Sequence, residues 1–224
     1  MARTPILAPI LLAFGQLDDP ALVSVLLRSV ALAGLCFLGL AVGGVWATHA
    51  LLPAGWRHWL GDLATLVVTA VLALWLFVPV AIVIAAGFVG TVAGAVDRRF
   101  YPGLPAAGGA PLAAQLRDGL ALGAMVLALN LLGLLLAILL PGVGALLAWA
   151  ITAWALGRGL FVAVAMRRLG LAQARAAYRG RRWPVLAQGA ALALLASVPI
   201  ANLLVPIVGI AAMEHVLLAR APAG

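Results

Sequence analysis

Four long stretches of this sequence contain no charged side chain, and they constrain the fold more than any other feature. They cover residues 29–48, 63–96, 119–157 and 183–213, which are 20, 34, 39 and 31 residues long. A helix needs about 20 apolar residues to cross the hydrocarbon core of a bilayer. Because lipid offers no partners for backbone N–H and C=O groups, such stretches enter a membrane as helices. The sequence therefore predicts an all-α membrane protein.

The composition excludes the main soluble classes. Apolar residues make up 66% of the chain and charged residues 9%, against about 45–50% and about 25% in soluble domains. A soluble enzyme, a disordered chain and a disulfide scaffold are therefore excluded. Cys36 is the single cysteine, so the chain forms no internal disulfide. We expect residues 1–224 to form one integral membrane domain.

The N-terminal half is predicted to contain an interfacial segment, a helix pair and a loop. Residues 1–18 are expected to lie at the membrane surface, and residues 19–99 to form the first helix pair. Asp19 suits the cap of the first helix, and Pro20 suits its first position because no N–H is needed there. Pro79 is expected to kink the second helix. The Gly- and Pro-rich residues 101–111 predict a loop.

Two helical hairpins are predicted in the C-terminal half, at residues 112–168 and 183–220, because each apolar stretch is broken near its middle. Neither break carries a charge. Uncharged breaks suit hairpins that are partly re-entrant, entering the bilayer only partway with their tips sheltered by protein. Two ordinary spans per hairpin are the alternative. The residues expected to shape the two breaks are Pro141, Gly142, Gly144, Pro199, Asn202 and Pro206.

The distribution of arginine predicts the orientation. Residues 157–183 contain seven of the 14 basic residues and no acid. Basic loops stay on the cytoplasmic side. We therefore expect this segment, residues 97–118 and both termini to be cytoplasmic in a multi-pass membrane protein.

The basic segment has three interpretations. It is a solvated connector, a surface for anionic lipid headgroups, or a vestibule that attracts anions to the mouth of a pathway. Nucleic-acid binding is not expected, because the segment is short and tethered to the membrane on both sides. Arg175, Arg179 and Arg182 are predicted to share one helical face by their spacing. The candidate cluster comprises Arg167, Arg168, Arg175, Arg179, Arg181 and Arg182.

Catalytic, metal and cofactor sites have no support in the sequence. The three histidines lie far apart and have no Cys or His partner at ligand spacing, and no Ser or Cys nucleophile has a nearby base. Glu214, next to His215, is expected to pair with an arginine. We predict neither enzyme activity nor a cofactor.

Arg28 is the most specific candidate for an anion site. It lies two turns into the first helix, between Ser24 and Ser29. Snorkelling of Arg28 to the headgroups is one interpretation. The other is an anion site shared by Arg28, the hydroxyls of Ser24 and Ser29, and helix N-terminal amides. Asn202, between two prolines, is expected to bond to backbone carbonyls freed by the break.

The breaks resemble those of the CysZ-type sulfate permeases and the related etoposide-induced-protein membrane domain. Pro141-Gly142-Val143-Gly144 is similar to the Pro-Gly-hydrophobic-Gly turn of that family. Arg175, Arg179 and Arg181 resemble its basic stretch, and Gly189 its hairpin glycine. The last break is similar to the family's Ile-Pro-Leu-Leu-Asn-Leu…Pro signature, through Pro199-Ile200-Ala201-Asn202-Leu203-Leu204 and Pro206.

This resemblance implies a helical bundle with partly re-entrant hairpins, homo-oligomers in the inner membrane, and import of sulfate. One motif departs from the family: its permeases carry Gly-Leu/Ile-Arg-Arg after the first-helix proline, where this chain has Ala21-Leu22-Val23-Ser24. Two hypotheses follow. The chain is an anion permease related to the sulfate importers, or it is a membrane scaffold or biogenesis protein of the same fold that transports no solute. A polar path lined by Arg28, Asn130 or Asn202 would favour the permease.

Overall fold

The computed structural model describes residues 7–51, 88–139 and 141–219, together with Leu63 and Val67. These residues carry helices and no strand, which confirms the all-α prediction. The expected kink at Pro79 lies outside the described residues. The helices are α1 (Ala8–Phe14), α2 (Pro20–Leu51), α3 (residues 88–100), α4 (Leu112–Leu139), α5 (Pro141–Met166), α6 (Leu171–Gly180), α7 (Arg182–Ala196), α8 (Pro199–Asn202) and α9 (Val205–Leu218).

The start of α2 follows the prediction. The Asp19 carboxylate accepts a hydrogen bond of 2.8 Å from the backbone N–H of Ala21, and Pro20 is the first helical residue. At the beginning of α2, Leu22 and Val25 are buried against α9 and its neighbours. Further along, Leu35 is 65% exposed. Most of α2 therefore presents an apolar surface.

The short helix α1 packs against α9 rather than lying free at a membrane surface. Ile10 and Ala13 are buried in the main core. On the opposite side Leu11 is 65% exposed and Leu12 is 44% exposed. That residues 1–18 lie at the membrane interface stays a prediction, and it concerns this exposed apolar side of α1.

Helices α4 and α5 form the second hairpin, and both are long. At 28 and 26 residues they measure about 42 and 39 Å. With the first part of α2, they are long and apolar enough to cross a membrane. The break between α4 and α5 lies at Pro141, as predicted, and Pro141, Gly142 and Gly144 form the first turn of α5. A proline is tolerated there because the first N–H groups need no partner within the helix. These lengths favour ordinary spans for this hairpin.

The third hairpin is shorter and broken where predicted. Helices α7 and α9 have 15 and 14 residues, about 22 and 21 Å. The four-residue α8 joins them, with two non-helical residues on each side of it. Each leg is shorter than the roughly 30 Å of a hydrocarbon core. Short legs of this kind are what a re-entrant hairpin requires.

The tip of the third hairpin corrects one expectation. The side chain of Asn202 makes no hydrogen bond to another described residue, and its backbone N–H donates to Val198 O at 2.8 Å instead. The helical turn of α8 thus supplies a backbone partner for the Asn202 N–H without help from its side chain. The tip is also not fully sheltered within the monomer, since Val198 and Leu203 are exposed.

The core is built around α5 and α9. Helix α5 packs against α4, α6, α7 and α9, and Phe161 and Ala165 are fully buried. Nearly all of α9 is buried, including Glu214 and His215. A helix that is apolar on every side is stable only in such an enclosed position. Glu214 and His215, the two polar residues near the end of α9, therefore need partners from the surrounding protein.

The prediction that Arg175, Arg179 and Arg182 share one helical face is wrong. Arg175 and Arg179 lie on α6, but the helix stops at Gly180 and Arg182 begins α7. Pro184 explains the break, because its ring would clash with the carbonyl four residues earlier, that of Gly180, in a continuous helix. The basic segment is therefore divided between two helices.

Candidate functional site

The loop, the basic segment and the end of α9 meet at one end of the molecule, which we call the polar end (Gln16–Asp19, 97–118, 158–182 and 214–215). The backbone N–H of Ala110 donates to Met166 O at 2.8 Å. Arg168 Nη1 donates to Pro105 O at 2.9 Å, and Arg99 pairs with Asp18 at 2.8 Å. The segments predicted to share one side of the membrane thus share one end of the structure, and residues 101–111 form the predicted loop.

Four charged side chains form a compact cluster at the polar end. Asp97 Oδ2 lies 2.7 Å from Arg167 Nη2 and 2.7 Å from Arg168 Nη2. Glu214 Oε1 lies 3.3 Å from Arg167 Nη1 and 3.5 Å from Arg168 Nε. The predicted pairing of Glu214 with an arginine is confirmed. We call Asp97, Arg167, Arg168 and Glu214 the four-charge cluster.

The four-charge cluster is largely shielded from solvent. Glu214 is 0% exposed, and the Asp97 and Arg167 side chains are 14% and 13% exposed. Burial acts to raise the pKa of Asp97, but hydrogen bonds from Arg167 and the charges of both arginines hold that pKa below its usual range. The second carboxylate oxygen of each acid, Asp97 Oδ1 and Glu214 Oε2, accepts no hydrogen bond from another described residue. Removing either arginine would leave a buried carboxylate without its counter-charge.

A second cluster is centred on Asp118 of α4. Its Oδ1 lies 3.2 Å from Arg158 Nη2 and 2.6 Å from Arg175 Nη2. Asp118 is 6% exposed and Arg158 is 17% exposed, whereas Arg175 is 49% exposed. This cluster ties α4, α5 and α6 together, and we call Asp118, Arg158 and Arg175 the Asp118 cluster.

The remaining arginines of the predicted basic cluster behave differently. Arg179, Arg181 and Arg182 make no ion pair with any residue that the structure describes. Arg182 is exposed and lies over the Trp183 ring, 5.4 Å from its centroid. Within the segment, arginines that lock the fold are therefore distinct from arginines that face outward.

His215 is held between two polar side chains. Its Nε2 lies 3.2 Å from Gln16 Nε2 and its Nδ1 lies 3.0 Å from the Tyr101 hydroxyl. If the Gln16 amide donates to Nε2, the proton of a neutral ring is on Nδ1 and is donated to Tyr101. Phe100 packs edge-on against the ring at 5.0 Å. This arrangement joins α1, the loop and α9.

A cleft of about 380 Å³ opens between the end of α3, the loop and the end of α5. Asp97, Arg167 and Arg168 of the four-charge cluster form its floor, and Arg98 and Tyr101 line it as well. Arg98 is exposed and makes no ion pair with a described residue. The rest of the lining is contributed by Gly94 and by residues 102–107 of the loop.

The predicted site around Arg28 is not assembled with other donors in the described part of the chain. The Ser24 hydroxyl donates to Ala21 O at 2.8 Å and the Ser29 hydroxyl to Leu26 O at 2.9 Å. Each hydroxyl has a single proton, so neither donates to an anion in this arrangement. Arg28 is exposed on α2, and its role stays a prediction.

The polar path expected from Arg28, Asn130 and Asn202 is not formed within the described monomer either. Asn130 is exposed on α4, and Asn202 lies at the tip of the third hairpin, at the end of α7 opposite the polar end. The buried polar groups of the described residues include instead the two ion-pair clusters, the His215 contacts and Gln188 of α7. A polar path that involves Arg28 would therefore need groups from outside the described part of the monomer.

Several important residues were not identified from the sequence, namely Asp97, Asp118, Tyr101 and Gln16. One signal was present. Two of the six acids border a loop, and the seven arginines of residues 157–183 have no acid of their own. Since charged residues are rarely buried unless paired, the acids at positions 97 and 118 were the natural partners. No comparable pattern marks Tyr101 or Gln16.

The sequence matches a known protein family. A family model described as sulfate transporter CysZ/etoposide-induced protein 2.4 matches residues 10–206. No curated protein matches the sequence significantly. The match spans α1 through to the first residues of α9 and so includes both ion-pair clusters except Glu214.

Proposed function

Because the chain belongs to the family of sulfate transporter CysZ and etoposide-induced protein 2.4, we propose that it is an inner-membrane permease for a small inorganic anion such as sulfate. The family match and three helices long enough to span make it a membrane protein of a transporter-like family. The anion, the inner (plasma) membrane and the direction of transport are the proposed part.

The observation that carries the proposal is the cleft at the polar end. Three arginines, Arg98, Arg167 and Arg168, line it with a single carboxylate, that of Asp97. A cleft lined by one sign of charge raises the local concentration of the opposite ion. We propose that this cleft opens to the cytoplasm, together with both termini, as the excess of arginine favours.

The exposed apolar side of α2 supports assembly into homo-oligomers. Leu35 and Leu38 are 65% and 61% exposed on it. In a second copy, an adjoining α2 would place two Arg28 side chains and their serines near a common interface. We propose that the Arg28 site is completed in this way, within the lipid bilayer and between subunits.

One observation favours the scaffold hypothesis as the alternative. Four arginines of the basic segment are paired with Asp97, Asp118 and Glu214, and the Gly-Leu/Ile-Arg-Arg motif of the permeases is absent after Pro20. A protein whose arginines only lock helices together needs no solute.

Uptake of radiolabelled sulfate into proteoliposomes tests the proposal. We expect uptake above that of empty liposomes, and a lower rate for Arg28→Ala than for Arg179→Ala, a matched control on the exposed side of α6. Uptake equal to that of empty liposomes would reject the permease and favour the scaffold. Normal uptake by Arg28→Ala would reject the Arg28 site alone.

A further inference from the structure

Two guanidinium groups converge on the space above Gly94 in the cleft. A Cβ atom built on Gly94 would lie 3.7 Å from Arg98 Nη1 and 4.0 Å from Arg167 Nη2. Both nitrogen atoms thus lie at van der Waals distance from the position that a side chain at residue 94 would occupy. An anion bound between Arg98 and Arg167 would be attracted by both guanidinium groups and would reduce their mutual repulsion.

From this geometry we infer that the space above Gly94 binds a tetrahedral oxyanion of the sulfate or phosphate type between Arg98 and Arg167. Guanidinium groups match such ions well, because their N–H donors lie in a planar fork that reaches two oxygen atoms at once. This site is separate from Arg28, which lies on α2.

The donors at this site have different degrees of freedom. Arg167 is fixed by its bonds to Asp97 and Glu214, so its position is set before an anion arrives. Arg98 has no ion pair with a described residue and is exposed, so it is free to close on the ion. In the cleft wall, the backbone N–H groups of Ala106 and Ala107 donate to no described residue. They offer further donors without a charge.

The net charge of this site is positive even when its two carboxylates are included in the count. Asp97 lines the cleft, and Glu214 lies beneath it, but Arg98, Arg167 and Arg168 outnumber these two carboxylates. Asp97 accepts from both Arg167 and Arg168 through one oxygen, so its charge is largely offset. One net positive charge therefore remains for the anion, and it is the charge of Arg98.

The inference rests on the proposed function, since an anion permease needs a place where the ion enters or leaves at the polar end. It is tested by binding alone, without transport. Purified protein in a non-ionic detergent is titrated with sodium sulfate by calorimetry, at constant ionic strength kept with sodium gluconate. Nanodiscs with and without phosphatidylglycerol form the second arm, because a lipid phosphate presents the same oxyanion.

The variants follow from the geometry. Arg98→Gln removes one guanidinium from an exposed position, and Gly94→Val fills the space above Gly94. The matched control is Gly90→Val, one turn earlier on the same helix, where a Cβ meets nothing within 4 Å. We expect Arg98→Gln and Gly94→Val to weaken sulfate binding at least tenfold, because a charge-assisted hydrogen bond contributes about that factor or more. Gly90→Val should bind as the unmodified protein does.

Each outcome decides the inference. Weaker binding in both variants but not in Gly90→Val supports it. Loss of sulfate binding in phosphatidylglycerol nanodiscs alone also supports it and identifies the lipid headgroup as the resident oxyanion. Sulfate binding that is absent in both arms, or unchanged in Arg98→Gln, overturns it. If sulfate binds as expected and proteoliposomes show no uptake, the permease proposal fails and the oxyanion site stands.

Discussion

Gly189 of α7 lies directly against Gly157 of α5: a Cβ atom on Gly189 would be 2.9 Å from the Gly157 Cα and would overlap the carbonyl oxygen of Ala153. A Cβ on Gly157 would lie 2.8 Å from Val185 O. Small residues let the backbones of membrane helices approach closely, and that packing is a main source of their association. The third hairpin is thus held to α5 through its backbone.

We expect Gly189→Ala to destabilise the protein. The new methyl group meets backbone atoms that cannot turn aside, so α7 must move away from α5. Overpacking of this kind costs about 1–3 kcal/mol and occasionally more, and it should lower the midpoint of thermal unfolding in detergent, followed by tryptophan fluorescence, by several degrees.

The matched control for this prediction is Gly123→Ala on α4, where a Cβ meets nothing within 4 Å. Alanine is the better helix former by about 1 kcal/mol, so the midpoint of this variant should be unchanged or higher. Equal midpoints for Gly189→Ala and Gly123→Ala would contradict the close packing of α5 and α7.

Part of the fold was predictable because its signals are local. Asp19 and Pro20 start α2 by capping chemistry that involves neighbouring residues alone. The prolines at 199 and 206 break the last hairpin for the same kind of reason. The break at Arg181 was missed, although Pro184 lies close in sequence, because the spacing of the arginines suggested a continuous helix. The spacing of Arg175 and Arg179 suits one face of α6, but that helix ends at Gly180 and so the pattern does not extend to Arg182.

Asp118→Asn should destabilise the protein strongly. Without the carboxylate, Arg158 would keep its positive charge at 17% exposure with no counter-charge from α4. Breaking a buried ion pair by removing one partner costs about 3–5 kcal/mol. The free energy of unfolding, measured with denaturant in mixed micelles, should fall by an amount in this range.

Asp18→Asn is the control for Asp118→Asn. It removes the same charge from an ion pair with Arg99, whose two side chains are 41% and 73% exposed. Exposed pairs contribute little to stability because solvent screens them, so the free energy of unfolding should hardly change. A similar loss in both variants would show that the Asp118 cluster is not the buried anchor described here.

Tyr101 should ionise only above the usual range of tyrosine. Burial raises the pKa of its hydroxyl, and the charges of Glu214 and Asp97 raise it further. The chain has two tyrosines, so in Tyr178→Phe the tyrosinate absorbance near 295 nm reports Tyr101 alone. The midpoint should lie above about 10, the value for an exposed tyrosine.

The same shift has a consequence for stability. A group whose pKa is higher in the folded than in the unfolded state contributes stability that is complete below the unfolded pKa. That stability is lost as the pH rises through the folded pKa. Tyr178→Phe should therefore lose stability above about pH 10, and Tyr101→Phe,Tyr178→Phe should lose less over the same range. A tyrosinate midpoint at the usual value would reject both expectations.

The candidate site was less predictable than the fold, because tertiary packing assembles it. Asp118 meets Arg158 and Arg175 across 40 and 57 residues, and Asp97 meets Arg167 across 70. No local pattern encodes such separations. That Glu214 would pair with an arginine followed from its apolar surroundings, since a buried acid needs a counter-charge, but which arginine it meets depends on how α5 ends beside α9.

The two hairpins should differ in how far they cross the membrane. The legs of the second measure about 42 and 39 Å and those of the third about 22 and 21 Å. In a Cys36→Ala background, single cysteines are placed at the exposed positions Ala106 in the loop, Val143 at the second tip and Leu203 at the third tip. A membrane-impermeant maleimide is then added to vesicles of each orientation.

With the proposed orientation, in which the polar end faces the cytoplasm, we expect Ala106→Cys to react in inside-out vesicles alone and Val143→Cys to react in right-side-out vesicles alone. Leu203→Cys should react in neither until detergent is added, because legs of 15 and 14 residues that start at the polar end stop short of the opposite headgroups, which lie beyond about 30 Å of hydrocarbon. Labelling of Leu203→Cys from outside as rapid as that of Val143→Cys would mean that the third hairpin spans the bilayer fully. Labelling of Ala106→Cys in right-side-out vesicles would reverse the proposed orientation, since the loop is bonded to the basic segment through Arg168 and Met166.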